Sequence, residues 1–166
     1  ISVTLVPTDP DRSDFRYRRG RSGLRGAEGL PLVKPPWGRI TAIDLNTGEH
    51  LWMIPNGDTP DCVKNHPALQ GLEISATGKA ERSGILVTKT LVFAGEGSGL
   101  FAAPRDTGGP MFRAYDKLTG DVISEFELPA HQSGLPMSYM VDGKQYIAVA
   151  VGARSHPGEL VALALP

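Results

Sequence analysis

Two copies of one strand-turn-strand pattern constrain the fold of this chain more than any other feature. The first copy is Gly38–Glu49 and the second is Met111–Asp121, with Ala42 and Ala114 at equivalent positions. In each copy a strand-like segment is followed by Asp, two further residues, Thr and Gly. The Asp carboxylate can cap such a turn, and Gly can adopt the positive φ that the turn requires. The repeat therefore predicts stacked antiparallel β-units.

Short segments rich in Val and Ile, bounded by turn residues, predict the strands of these units. One four-stranded meander is expected before residue 129, and Asp142-Gly143 marks a tight hairpin in the unit that follows. No long helix is predicted. The predicted strands are 39–44, 50–54, 84–88, 91–95, 111–116, 122–128, 136–141, 145–151 and 160–165.

Composition and charge limit the classes of protein to which the chain can belong. The chain has 166 residues, 20 of them Gly and 14 Pro, which is typical of a turn-rich β-protein. The net charge of −1 gives no support to a nucleic-acid partner. The chain starts at Ile1 without a methionine or a leader, so we expect it to be a fragment of a longer protein.

Two apparent catalytic motifs do not have the required spacing. Gly95–Gly99 follows a predicted strand, but it lacks the third Gly and the following helix of a dinucleotide-binding fingerprint. Ser133 lacks the flanking glycines of a nucleophile elbow. Neither nicotinamide chemistry nor a serine nucleophile is predicted.

The repeats resemble those of the quinoprotein dehydrogenases, a family of eight-bladed β-propellers that hold pyrroloquinoline quinone (PQQ). The docking motif of that family, Ala-x-Asp-x-x-Thr-Gly-x-x-x-Trp, matches Ala42–Trp52 at every defined position, whereas the second copy has Ser124 in place of Trp. Pro35–Glu49, Gly134–Tyr146 and Glu159–Pro166 resemble the last blades of the membrane-type glucose dehydrogenase branch. The resemblance predicts an all-β fold, a β-propeller fragment of about two and a half four-stranded antiparallel blades.

The resemblance also suggests a division of the chain, all of it within the C-terminal part of one propeller domain. Residues 1–57 are expected to contain the end of one blade with a long loop, 58–129 a complete blade, and 130–166 three strands of the last blade. Trp52 is expected to dock against a neighbouring blade.

The activity that the resemblance implies is oxidation of a sugar or alcohol hydroxyl by hydride transfer to PQQ, with a bound Ca²⁺ polarising the quinone carbonyl. The catalytic base and the calcium ligands would come from other blades, so no catalytic or metal-binding residue is assigned here. The implied partners are the remaining blades of the parent chain, the substrate, and a quinone or cytochrome electron acceptor. The implied location is the periplasm, with membrane association through a segment outside this chain, and the fragment alone is expected to be inactive.

Blade topology indicates which residues face the cofactor. The connections between blades and the loop between the second and third strands lie at one end of each sheet, opposite the Thr-Gly turns, and the family binds its quinone at that end. Arg82 or Arg154 is predicted to pair with a quinone carboxylate, and the backbone around Gly134 to approach the ring. The predicted cofactor-binding residues are Arg82, Gly84, Gly134, Leu135, Pro136 and Arg154.

Two alternatives remain open from the sequence. A non-catalytic bacterial β-propeller scaffold that binds other proteins carries blades with a similar Asp-x-x-Thr-Gly turn and a following Trp. A dehydrogenase-like protein that has lost its activity is the other alternative. The catalytic Asp and the calcium ligands, expected upstream only in the active dehydrogenase, would distinguish these classes.

Overall fold

Antiparallel strands form most of the regular structure in a computed structural model that describes residues 5–19, 26–81, 83–97, 108–153 and 155–164. The chain divides into two compact units, Ile1–Lys34 and Pro35–Pro166. The described part of the smaller unit contains one antiparallel strand pair and a single 3-10 turn, Ala27–Gly29. The strands of that pair are β1 (Leu5–Pro7) and β2 (Tyr17–Arg19).

Three antiparallel sheets build the described part of the larger unit. A two-stranded sheet, β3-β4, is followed by a four-stranded sheet in the order β5-β6-β7-β8 and by a three-stranded sheet, β9-β10-β11. One turn of helix, α1 (Asp61–Lys64), and a 3-10 turn, Pro67–Leu69, lie between β4 and β5. The strands are β3 (Arg39–Ile43), β4 (His50–Pro55), β5 (Ile85–Val87), β6 (Leu91–Gly95), β7 (Met111–Asp116), β8 (Val122–Glu127), β9 (Met137–Val141), β10 (Lys144–Ala153) and β11 (His156–Ala164).

The two repeat copies form turns of the same design. The Asp44 carboxylate accepts a hydrogen bond from the Asn46 N–H at 2.8 Å, and the Asp116 carboxylate accepts one from the Leu118 N–H at 2.7 Å. The glycines of the two turns have positive φ, +76° at Gly48 and +80° at Gly120. The predicted roles of Asp and Gly in these turns are thus confirmed. A register shift also falls at the equivalent point of both hairpins.

Two apolar clusters join neighbouring sheets of the larger unit. Val92, Ala94 and Tyr115 of the four-stranded sheet pack with the partly buried Ile40 and Ile54 of the two-stranded sheet. The opposite face of the four-stranded sheet packs against the three-stranded sheet through a larger cluster. The buried members of that cluster are Phe93, Phe112, Ala114, Leu128, Ala130, Val149 and Val151. Because both faces of the four-stranded sheet are covered, it forms the centre of this unit.

Trp52 links the two repeat copies to each other. Its indole Nε1 donates a hydrogen bond to the Lys117 carbonyl at 3.0 Å, in the turn of the second copy. A Cβ atom on Gly120 would lie 2.9 Å from the Trp52 ring. The predicted docking of Trp52 on a neighbouring blade is therefore confirmed. At the matching position of the second copy, Ser124 pairs with Ala114, as Trp52 pairs with Ala42.

Replacing Gly120 by Ala should destabilise the full-length parent more than the same change at Gly143. Both glycines have positive φ, +80° and +77°, so both substitutions strain the backbone by about 1 kcal/mol. Only the Gly120 substitution also pushes against Trp52, because nothing lies within 4 Å of a Cβ on Gly143. We expect a further loss of about 1–2 kcal/mol at Gly120, measured from denaturant unfolding midpoints. Equal losses would show that Trp52 does not pack on this turn.

The sheets match the fold expected from the sequence, a partial β-propeller of antiparallel blades. The Asp142-Gly143 hairpin is also confirmed, with φ of +49° and +77° at its two turn residues. The division of the chain after residues 57 and 129 stays a prediction.

Candidate functional site

The loops expected to face the cofactor converge at one end of the sheets. Residues 131–134 run beside the end of β10, where the Ser133 N–H donates to the Ala150 carbonyl at 2.8 Å and the Gly152 N–H to the His131 carbonyl at 2.9 Å. The end of β6 and the start of β5 reach the same region through contacts of Gly95 and Gly84. This end is opposite the Thr-Gly turns.

Four of the six predicted cofactor-binding residues lie together there. A Cβ atom on Gly84 would collide with Leu135, and one on Gly134 would lie 3.1 Å from the Ala150 side chain. The Leu135 side chain is 78% exposed although it is apolar, while Pro136 beside it is buried. The other two predicted residues, Arg82 and Arg154, lie outside the described residues. Contact of any of the six with a quinone stays a prediction.

Gln132 occupies the centre of this group. Its side-chain oxygen accepts hydrogen bonds from the Gly95 N–H at 2.7 Å and from the Ser83 hydroxyl at 2.9 Å. Its side-chain nitrogen donates to the Gly84 and Gly134 carbonyls at 2.8 Å and 2.7 Å. Gln132 is 2% exposed, so these bonds are shielded from water. The amide joins the four-stranded sheet to the loop that leads into the three-stranded sheet.

A buried carboxylate forms a second polar centre, between the two-stranded and four-stranded sheets. Glu96 follows β6 and is 1% exposed. Lys79 Nζ donates to its Oε2 at 2.6 Å and Arg113 Nη1 to its Oε1 at 2.8 Å. The Lys79 ammonium also donates to the Gly108 carbonyl at 3.2 Å. A Cβ atom on Gly109 would collide with the carboxylate, so glycine is required at that position.

The charge of Arg113 is fixed by this environment. Burial alone lowers the pKa of its guanidinium, but the hydrogen bond and the negative charge of Glu96 outweigh burial and hold the pKa above its ordinary value. Burial also raises the pKa of the Tyr115 phenol, against the opposing influence of Arg113. Arg113 is therefore a cation and Tyr115 a neutral phenol at physiological pH.

Asn56 ties the two-stranded sheet to the same end of the four-stranded sheet. Its Nδ2 donates to the Gly95 carbonyl at 3.0 Å, and its own N–H donates to the Gly38 carbonyl at 2.9 Å. The Lys79 N–H donates to the Asn56 carbonyl at 2.9 Å. Gly95 thus receives contacts from both neighbouring sheets, through Asn56 on one side and Gln132 on the other.

The sequence does not predict a role for several of these polar residues. Gln132 and Glu96 lie in the predicted cofactor-facing loops without an assigned role, and Lys79, Asn56 and Arg113 have none either. A signal for Glu96 does exist, because it continues the alternation of Val92 and Ala94, whose side chains are buried. A charge at such a position requires a buried partner. No comparable pattern marks Lys79, which lies in an irregular segment.

Two clefts lie beside the two-stranded sheet, away from the predicted cofactor residues. One, of about 480 Å³, is lined by parts of β4, β7 and β8 and includes Tyr115 and Glu125. Asp58 also lines this cleft, and hydrogen bonds from Lys64 and the Thr59 N–H lower the pKa of its carboxyl. The other, of about 590 Å³, is lined by the Pro35-Pro36 pair, the end of β4 and residues 72–77. Neither cleft includes any of the predicted cofactor-binding residues among its lining.

Across the described ranges, no group of three or more His, Cys, Asp or Glu side chains is arranged to hold a metal ion. In the same part of the chain, no helix combines the length and apolar character needed to cross a membrane.

The stacked antiparallel sheets, with their repeated Thr-Gly turns and docked Trp52, define a segment of a β-propeller. Residues 6–147 match the family described as PQQ glucose/ethanol/alcohol dehydrogenase, beta-propeller domain. The chain belongs to this family.

Relatives of known activity agree with the family match. The chain is 29% identical to quinoprotein glucose dehydrogenase A of Acinetobacter calcoaceticus over 98% of its length, and 33% identical to quinoprotein glucose dehydrogenase of Escherichia coli over 83%. It is 34% identical to a quinate/shikimate dehydrogenase (quinone) of Acinetobacter baylyi over 85% of its length. These alignments cover only 21%, 17% and 16% of the three relatives, so the chain spans about a fifth of their length or less.

A solved structure shows the same fold. The crystal structure of quinohemoprotein alcohol dehydrogenase from Comamonas testosteroni superposes with a TM-score of 0.51 at 22% sequence identity. The match covers 83% of this chain and 18% of that protein. The resemblance to the quinoprotein family and the all-β propeller fold expected from the sequence are both confirmed.

Proposed function

We propose that this chain is the C-terminal part of a PQQ-dependent dehydrogenase that oxidises a sugar or alcohol hydroxyl. The observation that carries the proposal is the family match over residues 6–147. The relatives include dehydrogenases named for glucose and for quinate or shikimate, all of which are polyhydroxylated compounds. A hydroxyl-bearing substrate is therefore the feature common to them.

The surface chemistry of the candidate face supports contact with a planar ring. Leu135 presents an apolar side chain that is 78% exposed. In the proposed site Leu135 and the Gly134 backbone would contact the ring, while Arg82 or Arg154 would pair with a quinone carboxylate. The bound quinone supplies the hydride acceptor for substrate oxidation.

Following the resemblance to the family, we assign the Ca²⁺ of the proposed site, like the catalytic base, to blades outside this chain. The other blades, a sugar or alcohol, and a quinone or cytochrome acceptor are its proposed partners. We place the activity in the periplasm, following the resemblance to the membrane-type branch.

Reconstitution of the full-length parent tests the proposal. We expect dye-linked oxidation of at least one sugar, alcohol or cyclic polyol only when both PQQ and Ca²⁺ are supplied to the apoprotein. A matched preparation that receives PQQ and a chelator of divalent metal ions in place of Ca²⁺ serves as the control. A well-folded parent that does not bind PQQ would contradict the proposal and favour a protein-binding scaffold. PQQ binding without oxidation of any compound in a broad panel would indicate a dehydrogenase fold that has lost its activity.

A further inference from the structure

We infer that Gln132 is a positioning residue that sets the shape of the quinone-facing surface. This inference rests on the proposed function and assigns a role within the same site. The hydrogen-bonding capacity of the Gln132 side chain supports it. A glutamine amide has two N–H donors and an oxygen that can accept two hydrogen bonds. All four are used, by Gly95, Ser83, Gly84 and Gly134, at distances of 2.7–2.9 Å.

This full set of bonds excludes Gln132 as a direct ligand of the cofactor. The side chain is 2% exposed, and none of its polar atoms has capacity left for another partner. Three of the four partners are backbone groups, and each of these would lose a hydrogen bond if the Gln132 amide moved. Gln132 therefore acts through the backbone that it holds.

The backbone held by Gln132 is the surface that carries the predicted cofactor residues. Its Nε2 donates to the carbonyls of both Gly84 and Gly134. These two bonds hold together two segments that are 50 residues apart in the sequence. With the Gly134 carbonyl turned inward to this amide, the next side chain, Leu135, lies 78% exposed. The outward position of Leu135 is thus coupled to an inward hydrogen bond of Gln132.

Neighbouring glycines make room for the Gln132 side chain. A Cβ atom on Gly95 would lie 2.5 Å from Gln132 Oε1, and one on Gly84 would collide with Leu135. The glutamine, the two glycines and Leu135 consequently form one closely packed unit. A small change in the position of the amide would be transmitted to Gly134 and Leu135, because packed interiors cannot absorb such shifts.

The test compares Gln132→Glu with Gln145→Glu in the full-length apoprotein. At position 132 a carboxylate keeps the acceptor oxygens but loses both N–H donors to Gly84 and Gly134. Gln145 is exposed, and its amide donates only to the Ser138 hydroxyl at 2.7 Å. We expect the Kd for PQQ, measured by titration of tryptophan fluorescence, to rise about 10-fold or more for Gln132→Glu and less than about 2-fold for Gln145→Glu.

Turnover at saturating PQQ separates positioning from simple stabilisation. For Gln132→Glu we expect kcat to fall while KM for the substrate stays unchanged, because the displaced groups contact the quinone. An unchanged Kd for PQQ and an unchanged kcat, together with a lower melting temperature, would overturn the inference. Gln132 would then only stabilise the contact between the sheets. A folded wild-type parent that does not bind PQQ would overturn the proposed function and this inference with it.

A milder variant keeps the test decisive if Gln132→Glu does not fold. Gln132→Asn keeps the amide but shortens the side chain by one methylene, so it cannot keep the bonds to both Gly84 and Gly134 at their present lengths. We expect the Kd for PQQ to rise about 2- to 5-fold. An unchanged Kd in a folded Gln132→Asn parent overturns the inference.

Discussion

Replacing Glu96 by Gln should lower the free energy of unfolding of the full-length parent by about 3–5 kcal/mol, because the change leaves the Lys79 ammonium without its counter-charge and Arg113 with the solvated carboxylate of Glu125. The side chains of Lys79 and Arg113 are only 18% and 13% exposed. Neither can regain full hydration without leaving the interface between the two sheets. The loss should appear as a shift of the denaturant midpoint at an unchanged slope.

Glu125 provides the matched control for this substitution. It also pairs with Arg113, at 3.4 Å, but its side chain is 47% exposed. Gln at position 125 removes the same charge from a solvated pair, so we expect a loss of less than about 1 kcal/mol. Similar losses for the Glu96 and Glu125 variants would show that the Glu96 cluster is not buried in the parent.

A double variant distinguishes unpaired charge from lost packing. Lys79→Met added to Glu96→Gln removes the cation that Glu96→Gln leaves without its counter-charge and keeps an apolar stem of similar length. We expect the double variant to be more stable than Glu96→Gln alone by about 1 kcal/mol or more. Additive destabilisation would contradict the electrostatic explanation, since a second loss of packing should only weaken the interface further.

The parts of the fold that the sequence predicts are those fixed by neighbouring residues. The turns at Asp44 and Asp116 depend on contacts within five residues, so the repeated Asp-x-x-Thr-Gly pattern determined them fully. The Asp142-Gly143 hairpin is local in the same sense. The order of strands in each sheet then followed, because short connections join antiparallel neighbours.

The candidate site could be predicted only as a set of loops. Connectivity places Gly84 and Gly134 at the same end of the sheets, and the structure confirms that Gln132 binds both. Connectivity does not indicate which side chain lies between them, because that depends on packing across two sheets. Lys79 and Glu96 illustrate the same limit, since their pairing depends on how an irregular segment crosses the end of β6.

Replacing Phe112 by Ala should also destabilise the parent by about 3–5 kcal/mol, because it opens a cavity between the four-stranded and three-stranded sheets. Phe112 is fully buried and stacks on Phe93, with ring centroids 6.1 Å apart. Its cluster contains the equally buried Val149 and Val151 of β10, which join the last sheet to the centre of the unit.

Substitutions of graded size test whether the side-chain volume removed at position 112 determines the loss of unfolding free energy. Phe112→Leu leaves a smaller cavity, so it should destabilise the parent less than Phe112→Ala. The control is Leu118→Ala, at a turn residue that is 79% exposed, which should lower the free energy of unfolding by less than about 0.5 kcal/mol. Denaturant midpoints measured for the three variants give this order directly. If Phe112→Ala and Leu118→Ala were equally mild, the two sheets would not share a packed core. The last sheet would then be held mainly by the polar contacts of Gln132, and Gln132→Glu would become the more destabilising change.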